Sequence, residues 1–164
     1  MLKKILAALA AVFLTFLVFA ALQPSEFRVE RTAIIEAPAS KVYDQVNDFK
    51  NWPNWSPWEH RDPTMKKTYT GSSSGTGAIY SWVGNSEVGE GRMTITSSVP
   101  HTQILILLEF LKPFAVSHQT EFTFRPEGTG TQIAWIMSGK NNFFSKVFSI
   151  FMSMDKMIGK DFEH

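Results

Sequence analysis

The chain has 164 residues, 44% hydrophobic and 19% charged, which suits one globular core and argues against a disordered chain. Lys plus Arg number 16 and Asp plus Glu 15, so the concentrated positive charge of a nucleic-acid protein is absent. There is no cysteine, which excludes disulfides, thiol catalysis, zinc–thiolate sites and iron–sulfur clusters.

Lys3 and Lys4 precede an uncharged run from Ile5 to Leu22 in which only Thr15 is polar. Eighteen helical residues span roughly 27 Å, close to the ~30 Å hydrocarbon core of a bilayer. The run is longer than the apolar part of a secretory signal, and Phe19-Ala20-Ala21-Leu22-Gln23 matches an Ala-x-Ala cleavage site poorly. The sequence therefore favours a retained membrane anchor over a cleaved signal. The two lysines predict a cytoplasmic amino end, with the rest of the chain on the periplasmic or extracellular side. Residues 1–25 read as anchor and linker and 26–164 as one domain. Without the two lysines the remainder is nearly neutral, which again disfavours a polyanionic partner.

From Glu26 to Glu36 apolar and polar residues alternate, with Phe27, Val29, Ala33 and Ile35 on one face, and predict a strand. Ser40 is a suitable N-cap for a short helix over Lys41 to Phe49. Asn51 to Pro63 holds Trp52, Trp55, Trp58 and the prolines 53, 57 and 63. The prolines forbid a regular element, and three tryptophans require that the loop pack on something. Six strand-like segments follow: Met65–Thr70, Ala78–Val83, Val88–Ser98, Thr102–Leu111, Val116–Arg125 and Thr131–Ser138. Glycines and prolines, Pro100 and Pro113 among them, separate these segments into an antiparallel meander. From Asn141 to His164 the period becomes 3.6, with Phe144, Val147, Phe148, Phe151, Met154, Ile158 and Phe162 on one stripe; this predicts a long amphipathic helix.

Specific segments carry a resemblance. Ile34-Ile35-Glu36-Ala37-Pro38-Ala39-Ser40-Lys41-Val42-Tyr43 looks like the opening strand and helix of the START-like (SRPBCC) superfamily. Trp52-Pro53-Asn54-Trp55-Ser56-Pro57-Trp58 resembles the tryptophan-rich loop of its polyketide cyclase/dehydrase-like branch. Gly89-Glu90-Gly91-Arg92-Met93-Thr94-Ile95, Glu109-Phe110-Leu111-Lys112-Pro113-Phe114 and Met157-Ile158-Gly159-Lys160-Asp161-Phe162-Glu163 are also similar to that branch. The resemblance implies an α+β helix-grip fold: a curved antiparallel sheet of about seven strands around the long C-terminal helix, with a cavity between them. Relatives use that cavity for apolar or amphipathic ligands, and a minority catalyse cyclisation or dehydration. They usually continue the last helix a turn or two beyond Phe162-Glu163, so the expectation is either a more open groove at that end or a chain trimmed there.

Within this frame Asp155 lies in the apolar stripe, where a carboxylate must be paired, hydrated or protonated. It is read either as a cavity carboxylate or as the partner of a sheet residue such as Arg92 or His118. Trp55, Trp58, Tyr80, Trp82, Trp135 and Phe151, with Asp155, are candidate ligand-binding residues, the aromatics against plain packing. Glu90 and His118, with Asp155, are the acid–base candidates that an enzyme of cyclase/dehydratase type would need. Glu59-His60-Arg61-Asp62 reads as a solvated loop rather than a metal site, because no second His stands at ligand spacing. Gly71-Ser72-Ser73-Ser74-Gly75 matches the G-x-S-x-G pattern, but a strand follows it where a nucleophile elbow needs a helix. No metal or cofactor is expected. The expected partners are a small hydrophobic molecule or lipid and, through residues 5–22, a membrane. The leading reading is an anchored binding module; the alternatives are that enzyme, or an interaction or stress-related protein whose interior is filled.

Overall fold

The computed structural model describes residues 1–112, 115–151 and 153–163, and of residues 154, 157 and 163 the backbone only. Pro113, Phe114, His164 and the side chain of Met154, all used in the sequence reading, lie outside what it describes. The amino end is one helix, α1 (Leu2–Ala21), with a mean hydropathy of 2.4 and solvent contact along almost its whole length. It is long and apolar enough to cross a membrane.

Seven strands follow: β1 (Glu26–Ile35), β2 (Lys66–Gly71), β3 (Ala78–Val83), β4 (Glu90–Val99), β5 (Gln103–Lys112), β6 (Val116–Glu127) and β7 (Gly130–Lys140). They form one antiparallel sheet in the order β1-β7-β6-β5-β4-β3-β2. The predicted meander is β2 to β7, and the first strand closes onto the last. Register sets Val29, Met137, Thr120, Ile106 and Ile95 side by side across five strands, all buried, so this row marks the inner face. Period-2 alternation turns the intervening residues outward.

Gly91 has a specific task on that face. It pairs with Trp82, and a Cβ on it would lie 2.5 Å from the Trp82 ring and 2.5 Å from the Glu109 carbonyl oxygen. A strand glycine here lets the indole lie flat across β4.

Helix α2 (Ala39–Asn47) packs on β6 and β7 and buries Val42, Tyr43 and Val46. It starts and ends two residues earlier than the sequence predicts: Pro38, not Ser40, is the N-cap, and Phe49 begins the next element. The proline-rich loop is not wholly irregular, a correction to the sequence reading. It forms two 3-10 helices, Phe49–Asn54 and Pro57–His60, the second with proline at its start, where no amide donor is needed. The Trp52 and Trp55 indole N–H groups donate to the Val46 and Gln45 carbonyls at 3.1 and 3.0 Å. These carbonyls belong to the last turn of α2, which has no intrahelical donors for them.

The C-terminal segment is helical but not one rod. It comprises α3 (Phe143–Phe151), α4 (Met154–Ile158) and a 3-10 turn, Gly159–Glu163. Ser153 is extended (φ −75°, ψ 149°), and its hydroxyl accepts from the Lys156 amide. Serine stabilises a helix start better than a helix interior, so the apolar period continues through a point where the backbone breaks. The break also separates destinations: α3 packs beside α1, whereas α4 and the last turn pack on β1. Over most of the inner face, α2 and the tryptophan-rich turns cover the sheet, with Ile158 and Phe162 joining at one side.

Candidate functional site

A cavity of about 450 Å³ opens at the β1–β7 side of the sheet. Its floor is Ala33, Ile35, Ile133, Trp135 and Phe122; Val42 and Val46 of α2 face them; Trp55, Pro57 and Phe162 close the third side. Arg31, Lys41, Gln45, Asn54 and Asp161 supply the polar part of the lining. Such a volume, with apolar walls and few polar groups, falls in the range of small-molecule sites. The cavity was expected between the sheet and a long C-terminal helix. It lies instead under α2 and the tryptophan-rich loop, and only the last turn of the C-terminal segment reaches it, because that segment breaks at Ser153.

Trp135 is the centre of the wall. Phe162 stacks on its ring (centroids 4.1 Å apart, planes within 5°), and Trp55, Trp58 and Phe122 pack around it at 5.0 to 5.6 Å. Its buried indole N–H has no hydrogen-bond partner among the described residues. Ion pairs help hold the C-terminal piece in place: Arg61 with Asp161, and Arg31 with both Asp155 oxygens at 2.8 and 3.2 Å.

Of the predicted ligand-binding residues, the structure brings Trp55 and Trp135 to the cavity wall. Trp58 stands behind them, edge-on to Trp135 and Phe162. Tyr80 and Trp82 are buried in the core, where the Trp82 N–H donates to the Val88 carbonyl at 2.9 Å. Phe151 is on α3 against Phe16 of α1, at 6.3 Å. The Asp155 carboxylate is 56% exposed, and the adjacent Arg31 guanidinium holds it below the ordinary carboxylate range. Its pairing is with Arg31, not with Arg92 or His118, because α4 packs on β1. Arg92 pairs with Glu109, whose carboxyl it lowers.

The acid–base candidates have separate surroundings. Glu90 pairs with Lys112 at 2.6 Å. His118 is on the inner face between Phe27 and Phe110; burial pushes its imidazole below its usual value, and Nδ1 has no partner among the described residues. No group of three or more His, Asp or Glu residues gathers among the described residues in a way that would hold a metal.

Sequence reasoning missed several residues. Phe122, Ile133, Val42, Val46 and Phe162 shape the cavity, and only their alternation or helical spacing announced an apolar face. The Glu59–Asp62 stretch is not a solvated loop, since both carboxylates are buried. Glu59 accepts from the Tyr80 hydroxyl at 2.6 Å and pairs with Lys67. Asp62 accepts from the Thr64 hydroxyl (2.7 Å), the Thr64 amide and the Asn85 amide, bonds that hold its carboxyl below its usual value. Thr64 is a local donor to Asp62, but the others come from Lys67 on β2, Tyr80 on β3 and Asn85 in the turn after β3, which a loop sequence cannot announce.

The polyketide cyclase/dehydrase and lipid transport family model matches residues 26–160. No curated protein matches the sequence significantly. Among solved structures, protein MLL2253 from Mesorhizobium loti is 16% identical with a TM-score of 0.58, covering 84% of this chain and 91% of its own. SA2116 from Staphylococcus aureus, titled a protein of unknown function, is 13% identical with a TM-score of 0.56, covering 87% and 94%. BexL, a di-domain ARO/CYC protein of the BE-7585A biosynthetic pathway, is 16% identical with a TM-score of 0.55, covering 89% of this chain and 52% of its own. At these identities the structures share the helix-grip fold alone. With the family model spanning most of the sequence, the chain belongs to the polyketide cyclase/dehydrase and lipid transport family of START-like (SRPBCC) proteins.

Proposed function

We propose that this protein is a membrane-anchored START-like binding module that holds a small hydrophobic or amphipathic molecule, of lipid or polyketide-like type, in the cavity under α2. The observation that carries the reading is the cavity of about 450 Å³ with Trp135 at its centre. Its apolar walls favour a ligand that water rejects. Lys41 and Gln45 at the cavity suit a polar end on the same molecule. α1 is the anchor, residues 1–25 ending at the linker and 26–164 forming the ligand-binding domain. Lys3 and Lys4 favour a cytoplasmic amino end with the domain on the opposite side. A carrier role fits better than cyclase or dehydratase chemistry, because Asp155, Glu90 and His118 answer to different neighbours.

The test is native mass spectrometry of the full chain extracted in detergent, comparing the wild type with Ala33→Trp, which puts an indole into the cavity from its floor. The wild type should carry a co-purifying small molecule, or take up added oleic acid, and the variant should carry neither. Equal loading of both proteins, or none on the wild type, refutes the reading.

A further inference from the structure

Helix α3 keeps its largest apolar side chains outside the protein. Phe144, Phe148 and Phe151, at i, i+4 and i+7, form one stripe and are 82%, 51% and 75% exposed. The residues between them that suit water, Ser145, Lys146 and Ser149, are half-buried against the protein. A helix on a water-facing surface turns its apolar stripe to the core, and an exposed apolar patch of this kind marks an interaction surface.

The neighbour identifies the partner. α3 packs along the C-terminal half of α1. The Lys146 ammonium donates to the Ala21 carbonyl and the Ser25 hydroxyl at 3.1 and 3.0 Å, and Asn141 bonds Pro24 and Ser25. The start of α3 is therefore level with the end of the apolar helix. At its other end Phe151 meets Phe16, five residues before Ala21, or about 7.5 Å further along α1. α3 thus runs back alongside α1 and extends its apolar surface, with a lysine at the polar boundary as in snorkelling side chains.

Resting on the anchor reading above, we infer that α3 is a second membrane element, embedded beside α1 in the outer part of one leaflet, with Phe144, Phe148 and Phe151 in contact with acyl chains. The domain is then held by two segments. Its orientation on the bilayer is fixed rather than free to swing about Gln23-Pro24-Ser25, and the chain that continues into α4 and the cavity wall starts from within the lipid.

The absence of native cysteine makes the test direct. A nitroxide is attached to Phe144→Cys, Phe148→Cys or Phe151→Cys in the full chain, reconstituted in phosphatidylcholine–phosphatidylglycerol vesicles, with Leu9→Cys in α1 and Lys66→Cys on β2 as lipid and water references. Accessibility to dissolved oxygen and to a water-soluble nickel chelate is read for each. All three α3 labels should favour oxygen, and depth should increase from position 144 to 151 by about 10 Å, seven residues of helical rise. Labels at α3 that read like position 66, while position 9 reads as lipid, overturn the inference and leave the anchor standing. Labels shielded from both reagents overturn it too, assigning the face to a second protein surface. A water-like reading at position 9 overturns the anchor itself.

Discussion

Replacing Glu59 by alanine asks whether a buried charge, rather than its aromatic rings, holds the tryptophan-rich loop to the sheet. The carboxylate is 4% exposed, accepts from the Tyr80 hydroxyl at 2.6 Å and pairs with Lys67. Its removal leaves that hydroxyl buried without an acceptor, at about 1–3 kcal/mol, and forfeits a hydrogen bond to a charged group, at about 1.5–3 kcal/mol. Lys67 is on edge strand β2 and rehydrates, so its loss adds little. The expected cost is about 3–5 kcal/mol, in the range for breaking a buried pair from one side. Tyr80→Phe removes the donor but leaves Glu59 with Lys67, and should cost about 1–2 kcal/mol. In the double variant the two losses overlap, with a coupling of about 1–3 kcal/mol. Urea unfolding of the full chain in detergent, followed by tryptophan emission, measures all four proteins. A cost below about 1 kcal/mol for Glu59→Ala, or strictly additive losses, refutes the reasoning. The pair also predicts alkaline behaviour. Burial, then the bond to Glu59, holds the Tyr80 hydroxyl well above its ordinary value of 10.0. The unfolded chain releases that proton near pH 10 while the fold retains it, so stability present below pH 10 falls as pH rises beyond it. Tyr80→Phe should reduce this fall, and Tyr69, also raised by burial, should preserve part of it.

Gly91→Ala should destabilise the fold by about 1–3 kcal/mol, because its Cβ meets both the Trp82 ring and the Glu109 backbone and one must move; a melting temperature equal to the wild type would contradict the packing described. His118 predicts an acid-side effect with the opposite sign to Tyr80. Burial lowers its folded value below 6.5, so the unfolded chain gains a proton first, and stability declines as pH falls below 6.5 until the folded imidazole also protonates. Unfolding curves between pH 7.5 and 5 should show this decline in the wild type and lack it in His118→Leu; Asp155, Asp62 and Glu109 lose their contributions only below pH 4.5 or so, where lowered carboxylates titrate.

The sheet could be read from residues alone wherever the signal was local. Ala78–Val83 alternates between Gly77 and Gly84, and the strand has those bounds. Val116 starts its strand as predicted, though β6 runs two residues beyond Arg125 because Glu127 still pairs with Gly130. What could not be read was anything set by a distant partner. Nothing near Glu59 announces Tyr80, 21 positions away, so a buried carboxylate reads as a wet loop. Trp55 and Trp135 were among the candidates because aromatics are the usual material of a pocket, yet the same reasoning chose Tyr80 and Trp82, which fill the core. Residue type indicates what a side chain can do, and only register and helix placement decide whether it faces space or neighbours.

The C-terminal stripe shows why periodicity misjudged the cavity. Phe144, Phe148, Phe151, Ile158 and Phe162 keep helical spacing across the whole segment, which assigns them to one face and one core. Periodicity reports that a face avoids water and is silent on what it meets instead. Here the face is divided at Ser153. The first three phenylalanines stay outside the protein beside α1, whereas Ile158 and Phe162 turn in to the core and the Trp135 wall. A continuous helix would carry both halves in one direction, leaving either Phe162 off Trp135 or Phe151 away from Phe16. The break lets one amphipathic sequence serve two apolar surroundings. It also joins them: the ion pair of Arg31 with Asp155 lies just past the hinge, between the half beside α1 and the half that closes the cavity. With α3 seated in lipid as inferred above, the position of Phe162 over Trp135 is set from the bilayer through about eleven residues of chain, which couples the proposed anchor to the proposed binding cavity.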